Sequence, residues 1–185
     1  MELKAKTNFT PAEKVAPVVI EQVFAEKSGG GIVVTDDKPI LQDTAVYADG
    51  AKFKPIKGYQ LVKAVGAEDT TIQIAKGSNV APNDFIGYGK KSVKATAVDT
   101  SNADYDVVTV TMGVEIAKGT VLYEAGSASA SGATPKATPV YIIGNDIPAN
   151  SGECPVRLIN GANLRKETAP IAPEVAALIP TINLV

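Results

Sequence analysis

The stretch Asp106-Val107-Val108-Thr109-Val110-Thr111-Met112 is the clearest strand pattern in the 185-residue chain. Valine and threonine favour strands, and Thr109 and Thr111 fall on one side, which predicts a sheet with one buried face. Two near-copies of one phrase flank this stretch: Ile74-Ala75-Lys76-Gly77-Ser78 precedes it, and Ile116-Ala117-Lys118-Gly119-Thr120 follows it. A lysine-glycine turn between β-rich runs is typical of compact β modules. The two phrases therefore mark the start and the end of one β module.

Turn and strand signals continue around this module. The lysines of the two phrases, Lys76 and Lys118, are expected to be solvated turn residues and not ligands. The Asp49-Gly50 pair predicts a tight hairpin. The stretch 52–57 alternates lysine with apolar residues, and lysines along a strand favour an edge position in the sheet.

The composition favours strands over the whole chain. Hydrophobic residues make up 45% of it, aromatic residues only 5%, and tryptophan and histidine are absent. Small β-branched residues favour strands, and cores poor in aromatics often gain stability from oligomerisation. We therefore predict a mainly β protein: a β-barrel or sandwich-like module with an extended N-terminal arm and at most short helices.

Glycine-rich and small-residue segments divide the chain. The triple glycine at 29–31 and the low-complexity run 126–134 are the clearest breaks. We predict an N-terminal arm or anchoring segment (1–35), a central β module (36–125), a small-residue linker or loop (126–138) and a C-terminal β segment (139–185). Within that last segment, Asn160-Gly161 is expected to form a turn, and residues 173–179 are expected to form one or two helical turns.

The chain lacks residues that several classes of function usually need. Without histidine the chain lacks the commonest general base and metal ligand, and the lone Cys154 is expected to be a buried structural thiol. A net charge of −2 offers no basic field for nucleic acid. No run is long enough to span a membrane, and the first six residues do not resemble a signal peptide. We predict no enzyme, no catalytic residue, no cofactor, no metal, no nucleic acid and no membrane partner.

Three acidic segments are candidates for carboxylate chemistry. The loop 99–106 carries carboxylates, but it lacks the central glycine and final glutamate of an EF-hand calcium loop, so a polar hairpin tip is expected. The acid pairs Asp36-Asp37 and Glu68-Asp69 lie in turn-like stretches, where solvation is the default. A hydrolase that uses an acid pair remains a hypothesis, although sugar clefts usually offer stacking aromatics.

The region from Ile116 onward carries a resemblance. The segments 119–124, 141–147 and 156–163 give a lysine-glycine phrase with a strand, an Ile-Ile-Gly-Asn-Asp-Ile step and a Val-Arg-Leu-Ile-Asn-Gly-Ala-Asn strand. In this order of features the C-terminal half resembles the tailed-phage head decoration and head fibre proteins. The long N-terminal part departs from the smaller decoration proteins, so the choice between a cementing knob and a fibre base stays open.

The resemblance implies a virion protein on the exterior of a phage capsid, made in the host cytoplasm. It would bind the major capsid protein and itself, commonly as a homotrimer, and stabilise the shell by adding interface area. Under this hypothesis, residues 1–35 are the first choice for the capsid contact, and the C-terminal segment 139–185 is the second choice.

A binding module for carbohydrate or another surface is the rival hypothesis. It predicts an exposed aromatic patch that includes Tyr88, Tyr105 and Tyr123. A glycan partner would accompany that patch.

Overall fold

The computed structural model describes residues 19–35 and 37–185. The strands of the N-terminal part are β1 (Ile20–Glu26), β2 (Gly31–Thr35), β3 (Ala45–Asp49) and β4 (Lys52–Ile56). The central strands are β5 (Gly58–Gln60), β6 (Thr71–Ala75), β7 (Phe85–Tyr88), β8 (Lys91–Lys94), β9 (Ala97–Asp99), β10 (Tyr105–Thr109) and β11 (Val121–Ala125). The C-terminal elements are β12 (Tyr141–Ile143), β13 (Gly152–Val156), β14 (Leu158–Leu164), α1 (Pro173–Ala176) and β15 (Ile182–Leu184). The described chain is mainly β with one short helix, and its curled sheets form a half-barrel, which confirms the predicted fold class.

The largest sheet joins the two ends of the described chain. Its strand order is β1-β14-β12-β3-β4-β2-β13, and β15 pairs in parallel with β14. The N-terminal strands β1 and β2 pair antiparallel with the C-terminal strands β14 and β13. Strand pairing therefore crosses the divisions at 35 and 138 that the sequence suggested. Residues 1–18 of the predicted arm lie outside the described residues.

The central strands form two smaller sheets. One has the order β5-β11-β7-β8, and the other has the order β6-β10-β9. Their apolar side chains close over a shared core that contains Tyr59, Ile74, Val108, Met112 and Leu122. The strand pattern at 106–112 is confirmed, although β10 itself ends at Thr109.

Strand β11 connects the central unit to the large sheet. All five of its residues are buried. Val121, Tyr123 and Ala125 pack into the core beneath the large sheet and α1, whereas Leu122 packs into the central core. A strand buried on both faces reads as a continuous apolar run, and its one charge, Glu124, needs a buried partner.

Both lysine-glycine phrases form turns as predicted. Gly77 (φ 86°) lies two residues after the end of β6, and Gly119 (φ 84°) lies two residues before the start of β11. Only glycine adopts such left-handed backbone conformations without steric cost, so the repeated phrase reflects one backbone requirement met twice. The Asp49-Gly50 hairpin is also confirmed, since β3 and β4 pair from Asp49↔Lys52 onward.

Two local predictions were wrong. Strand β4 is not an edge strand, because it lies between β3 and β2 and bridges in parallel to β2 through Val33↔Phe53. Asn160-Gly161 is not a turn, because β14 continues through it. Gly161 is required there for packing: an added Cβ would lie 2.7 Å from the Ala25 Cβ and 2.8 Å from the Phe24 ring. The small-residue run 126–134 lies along β8, with Ser129 bridging to Ser92.

Candidate functional site

An exposed, uncharged surface covers the outer face of β1, β14 and β15. It is formed by Gln22, Phe24, Asn163 and Asn183, and we call it the amide face. Asn163 donates from Nδ2 to Gln22 Oε1 at 3.4 Å and accepts from Asn183 Nδ2 at 3.0 Å, so three strands are joined by side-chain amides. The register explains the alignment, because Gln22 and Asn183 are both direct partners of Asn163.

Phe24 gives the amide face its aromatic group. Its side chain is 52% exposed and covers Gly161. A large ring on an open sheet face lacks the hydrophobic stabilisation that burial would supply, which makes Phe24 a candidate contact residue. Interfaces have cores depleted in charge and enriched in aromatic residues.

Ion pairs lie at the two ends of the β1–β14 pairing. Arg165 bonds Glu21 at one end, at 3.0 Å, and Arg157 bonds Glu26 at the other. All four side chains are about half exposed, so each pair contributes little to stability. Their position resembles the polar rim of a protein interface and leaves the amide centre uncharged.

A cleft of about 400 Å³ is the second candidate. It lies between the large sheet and the turn of the first lysine-glycine phrase. Its lining is mostly apolar and amide-bearing: Val19, Ile40, Leu41, Gln42, Thr44, Pro55, Lys57, Gly58, Gln60, Ala75, Lys76, Gly77, Ser78, Asn79, Asp146, Thr168 and Pro170.

The Lys57 amine in the cleft wall is held by a carboxylate. Lys57 Nζ donates to Asp84 Oδ2 at 2.8 Å, and the Tyr59 hydroxyl donates to the same oxygen at 2.9 Å. Burial, followed by the charges of Asp84 and Glu124, raises the pKa of Tyr59 well above its usual value. The side chains of Lys57, Tyr59 and Asp84 are thus hydrogen-bonded to one another. The arrangement therefore stabilises the fold and offers no activated nucleophile.

Glu124 completes this charged cluster from β11. Its carboxylate accepts from the Lys57 backbone nitrogen at 3.2 Å and from Lys136 Nζ at 2.7 Å. Burial alone would lower the pKa of Lys136, but the hydrogen bond and charge of Glu124 outweigh it and raise that pKa. The buried charge on β11 is thus paired.

The two phrase lysines differ. Lys76 is an exposed turn residue, as expected, but its Nζ also bonds the nearly buried carboxylate of Asp106 and the Thr100 carbonyl oxygen, the latter at 2.9 Å. Lys118 is exposed, as expected. The first phrase therefore fixes the neighbouring hairpin through a charge, and the second does not use its lysine in that way.

Asp43 is a buried acid that sequence reasoning missed. Its side chain is fully buried, and neither carboxylate oxygen has a hydrogen-bond partner among the described residues. Burial, with a further contribution from the charge of Asp146, raises the pKa of Asp43 to about 7. Asp146 belongs to the Asn-Asp-Ile step quoted above, but nothing near Asp43 in the sequence signals its burial.

The tyrosines proposed for a glycan site do not form an exposed patch. Tyr123 is fully buried, and its hydroxyl donates to the Gly89 carbonyl oxygen at 2.8 Å. Tyr88 is half-buried and packs against the central core. The predicted patch of Tyr88, Tyr105 and Tyr123 was wrong, because Tyr123 lies on β11, which is buried on both faces.

The acidic segments behave as turns. Asp99 accepts from the Ser101 backbone nitrogen at 2.9 Å, which lowers its pKa, and Asn102 accepts from the Asp104 nitrogen at 2.8 Å. The loop is thus the predicted hairpin tip between β9 and β10. Asp69 caps its own turn by accepting from Gly66 at 2.8 Å. Asp36 lies outside the described residues.

Cys154 was predicted to be buried, but it is only half-buried. It is a free thiol on β13, the last strand in the order of the large sheet, and its Sγ lies 3.7 Å from the Ser151 carbonyl oxygen. Because the strand lies at the sheet edge, one of its flanks lacks the cover that an interior strand has.

Residues 19–35 and 37–185 contain no group of three or more cysteine or acidic side chains placed to hold a metal ion. No helix within those ranges has the length and hydropathy needed to cross a membrane. Comparison of the chain with known protein families, curated proteins and solved structures finds no match.

Proposed function

We propose that this chain is a non-enzymatic structural protein on the outside of a phage capsid, a head fibre or decoration protein. It binds the major capsid lattice as an oligomer and adds buried interface that stabilises the shell. The resemblance of the C-terminal half to such proteins supplies the class of function, and the amide face supplies the contact surface.

The amide face is the observation that carries this proposal. The sequence suggested residues 1–35 first and the C-terminal segment second as capsid contacts. Strand β1 comes from the first segment, and β14 and β15 come from the second, yet they pair into one surface. With an exposed phenylalanine, three linked amides and ion pairs at its ends, this surface has the composition of a protein interface.

The charged clusters support a structural role. The nearly buried carboxylates of Glu124 and Asp106 are each paired with a lysine, and Asp84 is held by a lysine and a tyrosine. Paired in this way they favour one arrangement of strands and are poor general bases. The proposal assigns no catalytic residue and no cofactor to the chain.

Cosedimentation with empty shells tests the proposal. Shells assembled from the major capsid protein of the same genome are mixed with the purified chain and pelleted. We expect saturable binding to the shells and at least a tenfold weaker affinity for Phe24→Ser. Leu41→Ser is the matched control, because Leu41 is also exposed (40%) but lines the cleft instead of the amide face. Absence of wild-type binding, or equal loss in both variants, would contradict the assignment.

Mass in solution tests the oligomer. A homotrimer of this 19.1 kDa chain has a mass of about 57 kDa. Native mass spectrometry across a range of concentrations is expected to show that species, and a strict monomer at the highest concentration would overturn the trimer.

A further inference from the structure

The loop 40–44, which leads into β3, contacts two other parts of the chain. Ile40 and Ile147 exchange main-chain hydrogen bonds of 2.9 and 2.8 Å, which join this loop to the loop that follows β12. Leu41 reaches the turn of the first lysine-glycine phrase, where its Cδ1 would lie 3.2 Å from a Cβ added to Gly77. The loop 40–44 therefore connects the large sheet to the central unit.

Asp43 is buried within this loop. Its side chain is 0% exposed, and both carboxyl oxygens lack hydrogen-bond partners among the described residues. Its backbone has φ 65°, a left-handed conformation that residues with a side chain rarely adopt. The conformation is held from outside the loop, since the Asp43 nitrogen donates to the Ile143 carbonyl oxygen at 2.6 Å. Contacts with distant residues thus keep a carboxyl group away from water.

The charged groups around Asp43 do not offset a negative charge on it. Asp146, on the loop after β12, accepts from the Gln42 nitrogen at 2.7 Å, and its negative charge acts on Asp43. The other charged side chains on the neighbouring segments are Asp37, Lys38, Lys57, Lys76 and Arg157. The first two are exposed, and the last three are each paired with a different carboxylate. The ion pairs of the described residues do not include Asp43.

The neutral acid is the form of Asp43 that fits these surroundings. An unpaired charge is far more costly to bury than a neutral carboxyl group. Burial, with a smaller contribution from the charge of Asp146, accordingly raises the pKa of Asp43 from the ordinary 3.8 to about 7. Gln42 and Thr44 on either side of Asp43 already line the cleft, so a displacement of this loop toward the cleft would give an ionised Asp43 access to water.

We propose that the Asp43 carboxyl group is a pH-sensitive latch: its neutral form keeps the loop 40–44 closed against the loop after β12, and its ionised form releases the loop. Release breaks the hydrogen bonds of the Gln42 and Asp43 nitrogens and loosens the junction between the large sheet and the central unit. This device goes beyond the proposed capsid function, because it involves no contact with a shell.

The direction of the pH effect follows from the raised pKa. Between pH 3.8 and about 7, the closed loop keeps a proton on Asp43 that the open loop has lost. Closure therefore becomes weaker as the pH rises through this window, and above it the loop is at its least stable.

Amide hydrogen exchange of the full chain, followed by NMR, tests the latch. Protection factors, which correct for the intrinsic pH dependence of exchange, are compared at about pH 5.5 and about pH 8. Those of the Gln42, Asp43 and Ile147 amides are expected to fall about tenfold or more on going to the higher pH. At the higher pH they are also expected to be at least about tenfold lower than the protection factor of Val110 in the central unit, because the opening is local.

Two variants assign the effect to Asp43. Asp43→Asn is neutral at every pH and nearly the same shape, so its loop protection is expected to be the same at both pH values. Asp69→Asn, in an exposed turn, is the matched control and is expected to keep the wild-type fall. A wild-type loop with unchanged protection, or an equal fall in Asp43→Asn, would overturn the latch. Equal protection of the loop amides and Val110 at the higher pH would also overturn it, because the whole fold would then be responding.

A titration of the wild-type chain gives an independent reading if Asp43→Asn does not fold. The carbon-13 chemical shift of the Asp43 carboxyl group reports its ionisation directly. A midpoint near the raised value of about 7 supports the latch. A midpoint near the ordinary 3.8 contradicts it, because the carboxylate would then be ionised in the closed loop at neutral pH.

Discussion

Asn183 donates a side-chain hydrogen bond to Asn163 across the parallel pair β15–β14, with 3.0 Å between Nδ2 and Oδ1. Asn163 in turn donates from its Nδ2 to the Oε1 of Gln22 on β1, at 3.4 Å. A strand near residue 20 and a strand near residue 183 thereby present one uncharged surface. The proposed capsid contact depends on this surface, and a single substitution can add a charge to it.

A single charge on the amide face tests that dependence. Asn163→Asp places an uncompensated carboxylate at the centre of the face, so we expect at least a tenfold loss of affinity for shells with an unchanged fold. Cosedimentation measures the affinity, and circular dichroism reports the fold. Asn102→Asp is the control: it adds the same charge at the hairpin tip, where a carboxylate still accepts from Asp104. Equal effects of the two variants would refute the role of the face.

The two lysine-glycine phrases offer an internal comparison of stability. Lys76→Ala leaves the nearly buried Asp106 carboxylate without its cation, which is expected to cost about 1–3 kcal/mol of unfolding free energy. Lys118→Ala, at the matching position of the second phrase, is expected to stay within about 0.5 kcal/mol of wild type. Urea denaturation measures both. Identical losses would mean that the Lys76–Asp106 pair contributes nothing specific.

Local signals in the sequence predicted local structure well. The Asp49-Gly50 hairpin and the glycines of the two phrases were predictable because each depends on backbone conformations a few residues long. The position of β4 was not predictable in this way. Its lysines favour an edge, but its parallel bridge to β2 brings together strands separated by a hairpin.

The candidate sites depended even more on distant contacts. The sequence Asn160-Gly161 is typical of a turn. In the structure Gly161 lies within a strand, where its missing side chain makes room for the Phe24 ring. The sequence around Asp43 is typical of an exposed turn, and its burial depends on contact with the distant loop 143–147. The strand β11 was visible in the sequence as an apolar run, but the two cores that bury Tyr123 and Leu122 on its opposite faces were not, because they are built from distant strands.

The buried Tyr59 gives a prediction about alkaline pH. Its folded pKa is raised above the usual 10.0, so the stability that it confers is complete below about pH 10 and is lost as the pH rises further. Urea denaturation at rising alkaline pH is expected to show this decline. Tyr59→Phe removes one of the groups whose ionisation causes the decline, so the decline is expected to be smaller. At neutral pH this variant is expected to lose about 1–2 kcal/mol of unfolding free energy, because Asp84 loses a hydrogen-bond donor.

The half-buried Tyr88 serves as the control for that measurement. Tyr88→Phe is expected to keep the wild-type decline above pH 10. If Tyr59→Phe also shows the full loss of stability above pH 10, ionisation of the buried Tyr59 phenol is not the cause of that loss.

Gly58 tests how the central unit is attached to the C-terminal segment. An added Cβ would collide with the carbonyl oxygen of Pro170, which is backbone and cannot swing away. Gly58→Ala is expected to cost about 1–3 kcal/mol, measured by urea denaturation. At Gly66 the nearest atom to an added Cβ is an Asp69 oxygen at 3.5 Å, so Gly66→Ala is expected to be nearly neutral. A neutral Gly58→Ala would show that the contact with Pro170 is loose.

Electron cryo-microscopy of shells incubated with this protein tests the central claim most directly. The shells are assembled from the major capsid protein of the same genome and imaged with and without the added chain. We predict additional β-rich density at regular positions on the outer surface, with β1, β14 and β15 turned toward the shell. Bare shells at saturating protein, or bound density with the amide face pointing into solvent, would contradict the account.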